Sequence, residues 1–215
     1  MNKEEKTLTF LSPKDGYPQP IVTGTTTVGI ICNGGVVLAT ESQATMGYLV
    51  ASHRAPKIHK ITDHIAMTIS GSVADAQQII RIIRANVNLR RLELGRELSV
   101  RAVSQLTAIL LFQNRLFPYI TMLIVGGVDE EGPHIFTLDP LGSLLEEDKF
   151  AATGSGSVIA YGVLEDGYRE NMPIEEAIEL AKRAVKAARR RDIASGGKIQ
   201  VAVITKDGIK MEVTE

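Results

Sequence analysis

From residue 25 onward the hydrophobic pattern changes period in a regular order. It begins with short runs rich in β-branched residues, TTTVGIIC and GVVLAT, separated by Asn33, Gly34 and Gly35, which predicts a β-hairpin. KIHKI and HIAMTIS, split by Thr62 and Asp63, predict a second strand pair. The period then lengthens. In VADAQQIIRIIRANVNLRRLELG, Ala76, Ile79, Ile80, Ile83 and Val87 form the apolar stripe of an amphipathic helix. Ser99 is placed to cap a second helix, VRAVSQLTAILLFQNR, with Val103, Leu106 and Leu110 on one face. Strand patterns return at YITMLIVGG and HIFTLD, with a weaker one at KFAAT.

A third helix is expected to start within GSGSVIAYGVLEDGY. The fourth is PIEEAIELAKRAVKAARRRD, where Pro173 suits a first turn, Glu175 and Glu176 face the positive end of the dipole, and Arg189, Arg190 and Arg191 lie at the negative end. KIQVAVIT and IKMEV close the chain as a hairpin around Asp207 and Gly208. Strands, two helices, strands, two helices, strands: this order disfavours a doubly wound parallel sheet, in which strands and helices alternate singly. It fits α+β architecture, with antiparallel sheets and helices packed outside them.

Residues 1–24 stand apart. They carry Pro13, Pro18, Pro20, Gly16 and Gly24 and sustain neither period, so they read as a tail or a processed segment. They also lack the apolar block of a secretory signal. Composition adds little against this outline. The chain has 215 residues, 44% hydrophobic and 23% charged, with a formal net charge of −1. One globular domain follows, with no basic field for nucleic acid and no apolar run long enough for a membrane span. The single cysteine, Cys32, lies in an apolar run and reads as core; with no internal disulfide available, a reducing cytoplasm is the expected setting.

Candidate chemistry is scattered rather than motif-bound. There is no P-loop, no paired Cys-x-x-Cys, no His-x-x-x-His at metal spacing and no Gly-x-Ser-x-Gly elbow. His53, His59, His64 and His134 are dispersed, and the glycine-rich GSGS at 154–157 is a weak phosphate signal, simpler as a helix entry. The stretch IVTGTTTVGI is more pointed. Three threonines follow Gly24. On that tripeptide alone, a strand entering from a loop is the simpler reading. The alternative is cleavage after Gly24. A threonine at a free N-terminus carries its own base, since an α-amino group has a pKa of about 7.7–8.0. Gly24 suits self-cleavage, because no Cβ obstructs attack of the Thr25 hydroxyl on its carbonyl. Glu41 follows a short strand in LATESQATMG, and Lys57 precedes another in HRAPKI. A buried Lys57 beside Thr25 would favour a developing alkoxide, with Glu41 holding it charged, though each alone is most simply a surface charge. Gly71 ends a strand where a backbone N–H can act as oxyanion donor, and Asp192, Ser195, Gly196 and Gly197 lie between a helix and a strand.

Together, GTTTVGI, LATESQATMG, TISGSVADAQ, LIVGGVD, ATGSGS, AYGVLED and RRRDIASGG resemble a proteasome β subunit of archaeal type, in order and spacing, from Thr25 to about Thr214. The resemblance implies the four-layer αββα sandwich of the N-terminal-nucleophile hydrolases, with two antiparallel sheets between helix layers. It implies a propeptide, residues 1–24, removed by self-cleavage, and a catalytic domain over 25–215. It implies Thr25 as nucleophile and, once freed, as base; Glu41 and Lys57 as the tuning pair; the Gly71 amide as oxyanion donor; and Ser155, Asp192 and Ser195 as the network around the Thr25 amine. The substrate pocket would be lined by Ala44, Thr45, Ala55, Ile69 and Val73, with His59 nearby, which implies cleavage after hydrophobic rather than acidic residues.

Heptameric β rings stacked between rings of α subunits, an ATP-dependent unfoldase and unfolded protein substrates are the implied partners. The subunit itself is expected to need no metal, nucleotide or other cofactor. Two positions depart from the common pattern: Glu41 stands where many relatives have Asp, and Gln43 where a basic residue is frequent. Three rivals remain: a structural ring subunit that stays unprocessed, the bacterial two-ring protease with a similar threonine, and a nucleotide-binding module. GSGS lacks the P-loop lysine that the last would need.

Overall fold

A computed structural model describes residues 24–46 and 49–214. Residues 1–23 of the expected leader lie outside them. Two five-stranded antiparallel sheets face each other. The first is built from β1 (Thr27–Cys32), β2 (Gly35–Glu41), β10 (Phe150–Thr153), β11 (Ile199–Thr205) and β12 (Gly208–Thr214), in the order β10-β1-β2-β11-β12. The second runs β5-β6-β7-β8-β9, from β5 (Ile58–Lys60), β6 (Ile65–Gly71), β7 (Thr121–Asp129), β8 (Gly132–Leu138) and β9 (Leu144–Glu147). A small hairpin, β3 (Ala44–Met46) with β4 (Leu49–Ser52), stands beside them.

Side-chain alternation explains the layers, because successive residues of a strand face opposite sides. Val37 and Ala39 of β2, with Val28 and Ile30 of β1 and Val201 of β11, turn outward under the helix pair α3 (Ser157–Gly167) and α4 (Ile174–Arg189). Their neighbours Val36, Leu38, Ala202 and Ile204 turn inward and meet Ala66, Ile124 and Ile135 of the second sheet. Met67 and Ile69 of β6 face away from that layer, toward α1 (Val73–Leu94) and α2 (Val100–Gln113). The α+β sandwich expected from the element order is therefore present: helices, sheet, sheet, helices.

Local sequence supports each helix. Ser72 caps α1 by accepting from the Asp75 N–H at 3.4 Å, and Ser99 caps α2 through the Ala102 N–H at 3.2 Å. Gly95 ends α1 in a left-handed conformation. Pro173 is the residue before α4, whose first turn holds Glu175 and Glu176 and whose last holds Lys186 and Arg189. Its buried face joins Leu180 and Val185 to the small residues Ala177, Ala181, Ala184 and Ala188, which let it lie close to the sheet.

The α2 stripe differs from expectation. The buried residues are Val100, Val103, Ser104, Thr107 and Leu111, while Leu106 and Leu110 are only partly buried. Cys32 is buried and its thiol donates to the Gly35 carbonyl at 3.3 Å; burial, with Glu175 adding to it, pushes the thiol up to about 11. Among the described residues, no helix is long and apolar enough to cross a membrane.

Candidate active site

Strand ends bring the predicted residues together. Thr25 and Thr26 precede β1, Glu41 is the last residue of β2, Lys57 precedes β5, and Gly71 ends β6. Ser155 lies in the turn before α3, and Asp192 and Ser195 in the turn between α4 and β11. Residues far apart in sequence therefore converge at one end of both sheets.

The centre is a buried ion pair. Lys57 is 3% exposed and Glu41 0%, and the Lys57 ammonium donates to Glu41 Oε1. Such a pair is costly unless further hydrogen bonds support it, and three backbone N–H groups do so on the carboxylate. Glu41 Oε1 also accepts from the Thr26 N–H at 3.4 Å, and Oε2 from the Gln43 N–H at 2.6 Å and the Gly196 N–H at 3.1 Å. Burial pushes the Lys57 ammonium below the ordinary lysine range, while Glu41 and then Asp192 oppose that shift.

Lys57 Nζ also donates to Thr25 Oγ1 at 2.7 Å, and that hydroxyl donates in turn to the Gly24 carbonyl at 2.6 Å. Gly24 fits because nothing larger does: a Cβ there would lie 1.8 Å from Ala194 Cβ and 2.7 Å from Ser155 Oγ.

A second network holds the Thr25 amide. Its N–H donates to Ser155 Oγ at 3.3 Å, and Ser155 donates to Asp192 Oδ2 at 2.6 Å. Ser195 donates to the same oxygen at 2.5 Å, so its contact with Thr26 Oγ1 at 2.7 Å has the threonine as donor. Asp192 Oδ1 accepts from the Ala194 N–H at 3.3 Å. Thr26 was not singled out in the sequence, yet its backbone touches Glu41 and its side chain Ser195.

Beside the Thr25 hydroxyl is a small cavity of about 20 Å³. Its lining contains Ala44, Thr45, Ile69 and Val73 from the predicted pocket, with Gly24, Thr25, Gln43, Lys57 and Gly71. Ala55 and His59 are not among the lining residues. Ala55 is buried, its N–H donating to the Ser42 carbonyl at 2.9 Å. His59 sits on β5 with its Nε2 buried and without a hydrogen-bond partner. Burial, and then Arg84, hold its imidazole below the ordinary histidine range against a hydrogen bond to Pro56. Gly71 has φ of +114°, and a Cβ there would lie 2.3 Å from the Ile120 carbonyl oxygen, so the backbone turn that brings it to the cavity requires glycine.

A larger cavity, about 540 Å³, includes Ile65, Leu98, Val128 and Lys206 in its lining. Ile65 begins β6 and Gly71 ends it, so this cavity lies at the other end of the sheet from the ion pair.

The layered sandwich of helices, sheet, sheet and helices is the fold of the N-terminal-nucleophile hydrolases. Comparison with known proteins narrows it. Residues 21–204 match the family model described as "Proteasome subunit". The chain is 52% identical over 189 residues to "Proteasome subunit beta" of Methanoregula boonei, covering 88% of this chain and 89% of that protein. The protein of the same name from Ferroglobus placidus is 53% identical over 183 residues (85% and 87%), and that from Methanocaldococcus fervens 52% over 192 residues (89% and 86%). The chain belongs to the proteasome subunit family, as a core-particle β subunit of archaeal type. The role that goes with this membership is that of a peptidase working in assembly with other proteasome subunits.

Proposed function

We propose that the chain is a threonine endopeptidase subunit that activates itself by removing residues 1–24, and then hydrolyses peptide bonds of unfolded proteins. The observation that carries this reading is the Thr25 hydroxyl, held between Lys57 Nζ at 2.7 Å and the Gly24 carbonyl oxygen at 2.6 Å.

In the first stage Thr25 Oγ bonds to the Gly24 carbonyl carbon and the Gly24–Thr25 C–N bond breaks. The acyl group thus moves from nitrogen to oxygen, and the hydroxyl proton ends on the freed amine. Water then hydrolyses the ester, releasing the leader as a carboxylic acid and restoring the hydroxyl. In the second stage the free α-amine takes the Oγ proton as Thr25 attacks a substrate carbonyl, and returns it to the leaving amine as the peptide C–N bond breaks; water then hydrolyses the acyl ester on Oγ, releasing the other product as a carboxylic acid and restoring the hydroxyl. Lys57 stabilises the developing negative charge on Oγ, with Glu41 keeping it protonated. The Gly71 N–H receives the oxyanion, and Ser155, Asp192 and Ser195 orient the amine. The small lining of Ala44, Thr45, Ile69 and Val73 favours an uncharged residue before the cut.

Heptameric β rings stacked between α rings, fed by an ATP-dependent unfoldase in the cytoplasm, are the setting that suits such a site. The test is the intact mass of this chain after coexpression with an α partner. A mass beginning at Thr25, together with peptidase activity, is the expected result. A mass retaining residues 1–24 in an assembled particle would leave Thr25 without a free amine, and the chain would be a ring-building subunit.

A further inference from the structure

The layer between the sheets is apolar over most of its extent, but at the Thr25 end it becomes hydroxylic. Thr27 and Thr153 are paired neighbours on β1 and β10 of the first sheet. Thr68 and Ser70 share one face of β6 in the second. All four are buried: Thr27 and Thr68 at 0% exposure, Thr153 at 2% and Ser70 at 4%. Valine would match the threonines in shape, so packing alone does not call for hydroxyls here.

Proton counting gives the bonds a direction, because each hydroxyl has one proton to donate. Ser70 Oγ donates to the Met122 carbonyl at 3.2 Å, so at its 3.1 Å contact with Thr153 Oγ1 it accepts. Thr153 has then used its proton, and at 2.7 Å it accepts from Thr27. Thr27 in turn accepts from Thr68 at 3.1 Å. The result is one chain, Thr68 to Thr27 to Thr153 to Ser70 to Met122, which crosses from sheet to sheet twice.

Both ends of the proposed chemistry attach to this chain. Ser70 immediately precedes Gly71, and the Ser70 carbonyl is itself held by Thr121 Oγ1 at 3.0 Å. Thr27 is two residues from Thr25. Thr153 immediately precedes Gly154, where a Cβ would lie 2.0 Å from the Thr25 carbonyl oxygen. We propose that Thr27, Thr68, Ser70 and Thr153 form a clasp between the sheets that sets the Gly71 amide against the Thr25 hydroxyl. They are positioning residues for the oxyanion site of the threonine peptidase proposed above, on which this inference rests. A side-chain chain of this kind acts on turnover more than on binding, because an oxyanion exists only during the reaction.

The test uses full-length variants assembled with the α partner, with release of residues 1–24 checked by intact mass. Thr27→Val, Thr153→Val and Thr68→Val each remove one hydroxyl and keep the shape. Each is expected to lower kcat about ten- to a hundredfold, with KM within about threefold, the size of a sub-ångström displacement at a reacting centre. A peptide aldehyde, which takes Thr25 Oγ at its carbonyl carbon to form a hemiacetal, should lose affinity in step with kcat. The matching peptide alcohol, which forms no bond, should bind unchanged. Thr27→Ser and Thr153→Ser keep the hydroxyl and should restore turnover to within a few-fold of the parent.

Undiminished kcat in a processed valine variant would overturn the clasp. So would a serine variant more than tenfold impaired, which stays informative if a valine variant fails to assemble. Lys57→Ala run in parallel separates the two levels. If it is inactive while the valine variants are not, the clasp alone falls; if it retains full turnover, the threonine-peptidase reading falls and the clasp with it.

Discussion

Lys57 Nζ lies 2.7 Å from Thr25 Oγ1, and the same ammonium is anchored on Glu41. The anchor fixes the direction from which the cation meets the hydroxyl. Because the pair is buried, the charge acts on Oγ with little solvent between them. Lys57→Ala is predicted to abolish both release of residues 1–24 and peptide hydrolysis, with losses of at least about a hundredfold. It also leaves Glu41 as an unpaired buried carboxylate, so a drop in Tm is expected with it. Lys57→Arg keeps the charge but replaces a compact ammonium by a planar fork, and should recover Tm far better than turnover. Turnover of a fluorogenic peptide and intact mass, read on the same particle, check both.

Charge removal at Glu41 has a definite sign. Burial lowers the Lys57 value from 10.5, and Glu41 works against that lowering. In Glu41→Gln the opposing charge is gone, so the Lys57 value falls further. In the proposed mechanism, activity requires a neutral Thr25 amine and a protonated Lys57. The rising limb of a bell-shaped kcat/KM profile therefore belongs to the amine and the falling limb to Lys57. Glu41→Gln is expected to move the falling limb to lower pH, leave the rising limb in place, and lower the peak where the two now overlap. A falling limb that stays put in the variant would remove Lys57 from the role given it.

Much of this was legible in the sequence, and the exceptions have physical reasons. The four helices and most strands announce themselves by period, whereas Thr25, Glu41 and Lys57 read separately as a strand start and two surface charges, and join as a candidate site only through the set of motifs that resembles the family. The α2 stripe expected from the sequence is incomplete rather than misplaced: Val103 is buried and Leu106 and Leu110 pack half-buried against the core, but two further buried positions are hydroxylic. Ser104 and Thr107 return their protons to the Val100 and Val103 carbonyls at 2.9 Å each, which lets polar residues face the core. β3, β4 and β9 gave no strand signal: Ala44–Met46 is only three residues long, every residue of Leu49–Ser52 is exposed, and Leu144–Glu147 is an edge strand with two consecutive acids. The cross-sheet hydroxyls were invisible for another reason. Thr27, Thr68, Ser70 and Thr153 become neighbours only through strand register and sheet packing, which no single stretch encodes.

The cavity lining predicts a substrate preference. Ala44, Ile69 and Val73 offer no partner to a carboxylate, and the Thr45 hydroxyl is bound to the Ala194 carbonyl at 3.2 Å. The cation that lines it, Lys57, is already neutralised by Glu41. An acidic side chain would be desolvated there with no free cation to pair with, the Gln43 amide already donating to the Ile193 carbonyl at 3.4 Å. Peptides cleaved after apolar residues should exceed those cleaved after Asp or Glu by about tenfold or more in kcat/KM. Val73 is 38% exposed at the start of α1, so Val73→Lys can place a cation there without burying it. That variant should raise cleavage after acidic residues relative to apolar ones. A parent enzyme fastest after Asp or Glu would contradict the lining.

Gly24 provides a test confined to activation. A Cβ at this position would overlap Ala194 Cβ at 1.8 Å and crowd Ser155 Oγ at 2.7 Å, so Gly24→Ala must displace the Gly24–Thr25 peptide. The carbonyl then leaves the position in which it accepts from the Thr25 hydroxyl, and release of the leader is expected to slow about tenfold or more. Residue 24 departs with the leader, so any chain that is released is chemically identical to the parent and must have its full specific activity. Adding Ala194→Gly removes the shorter of the two contacts and should recover part of the release rate; the double variant then measures that contact directly. The readout is the fraction of mass beginning at Thr25 as a function of time after assembly. Release of Gly24→Ala at the parental rate would mean that the place of this peptide against Ala194 does not govern self-cleavage.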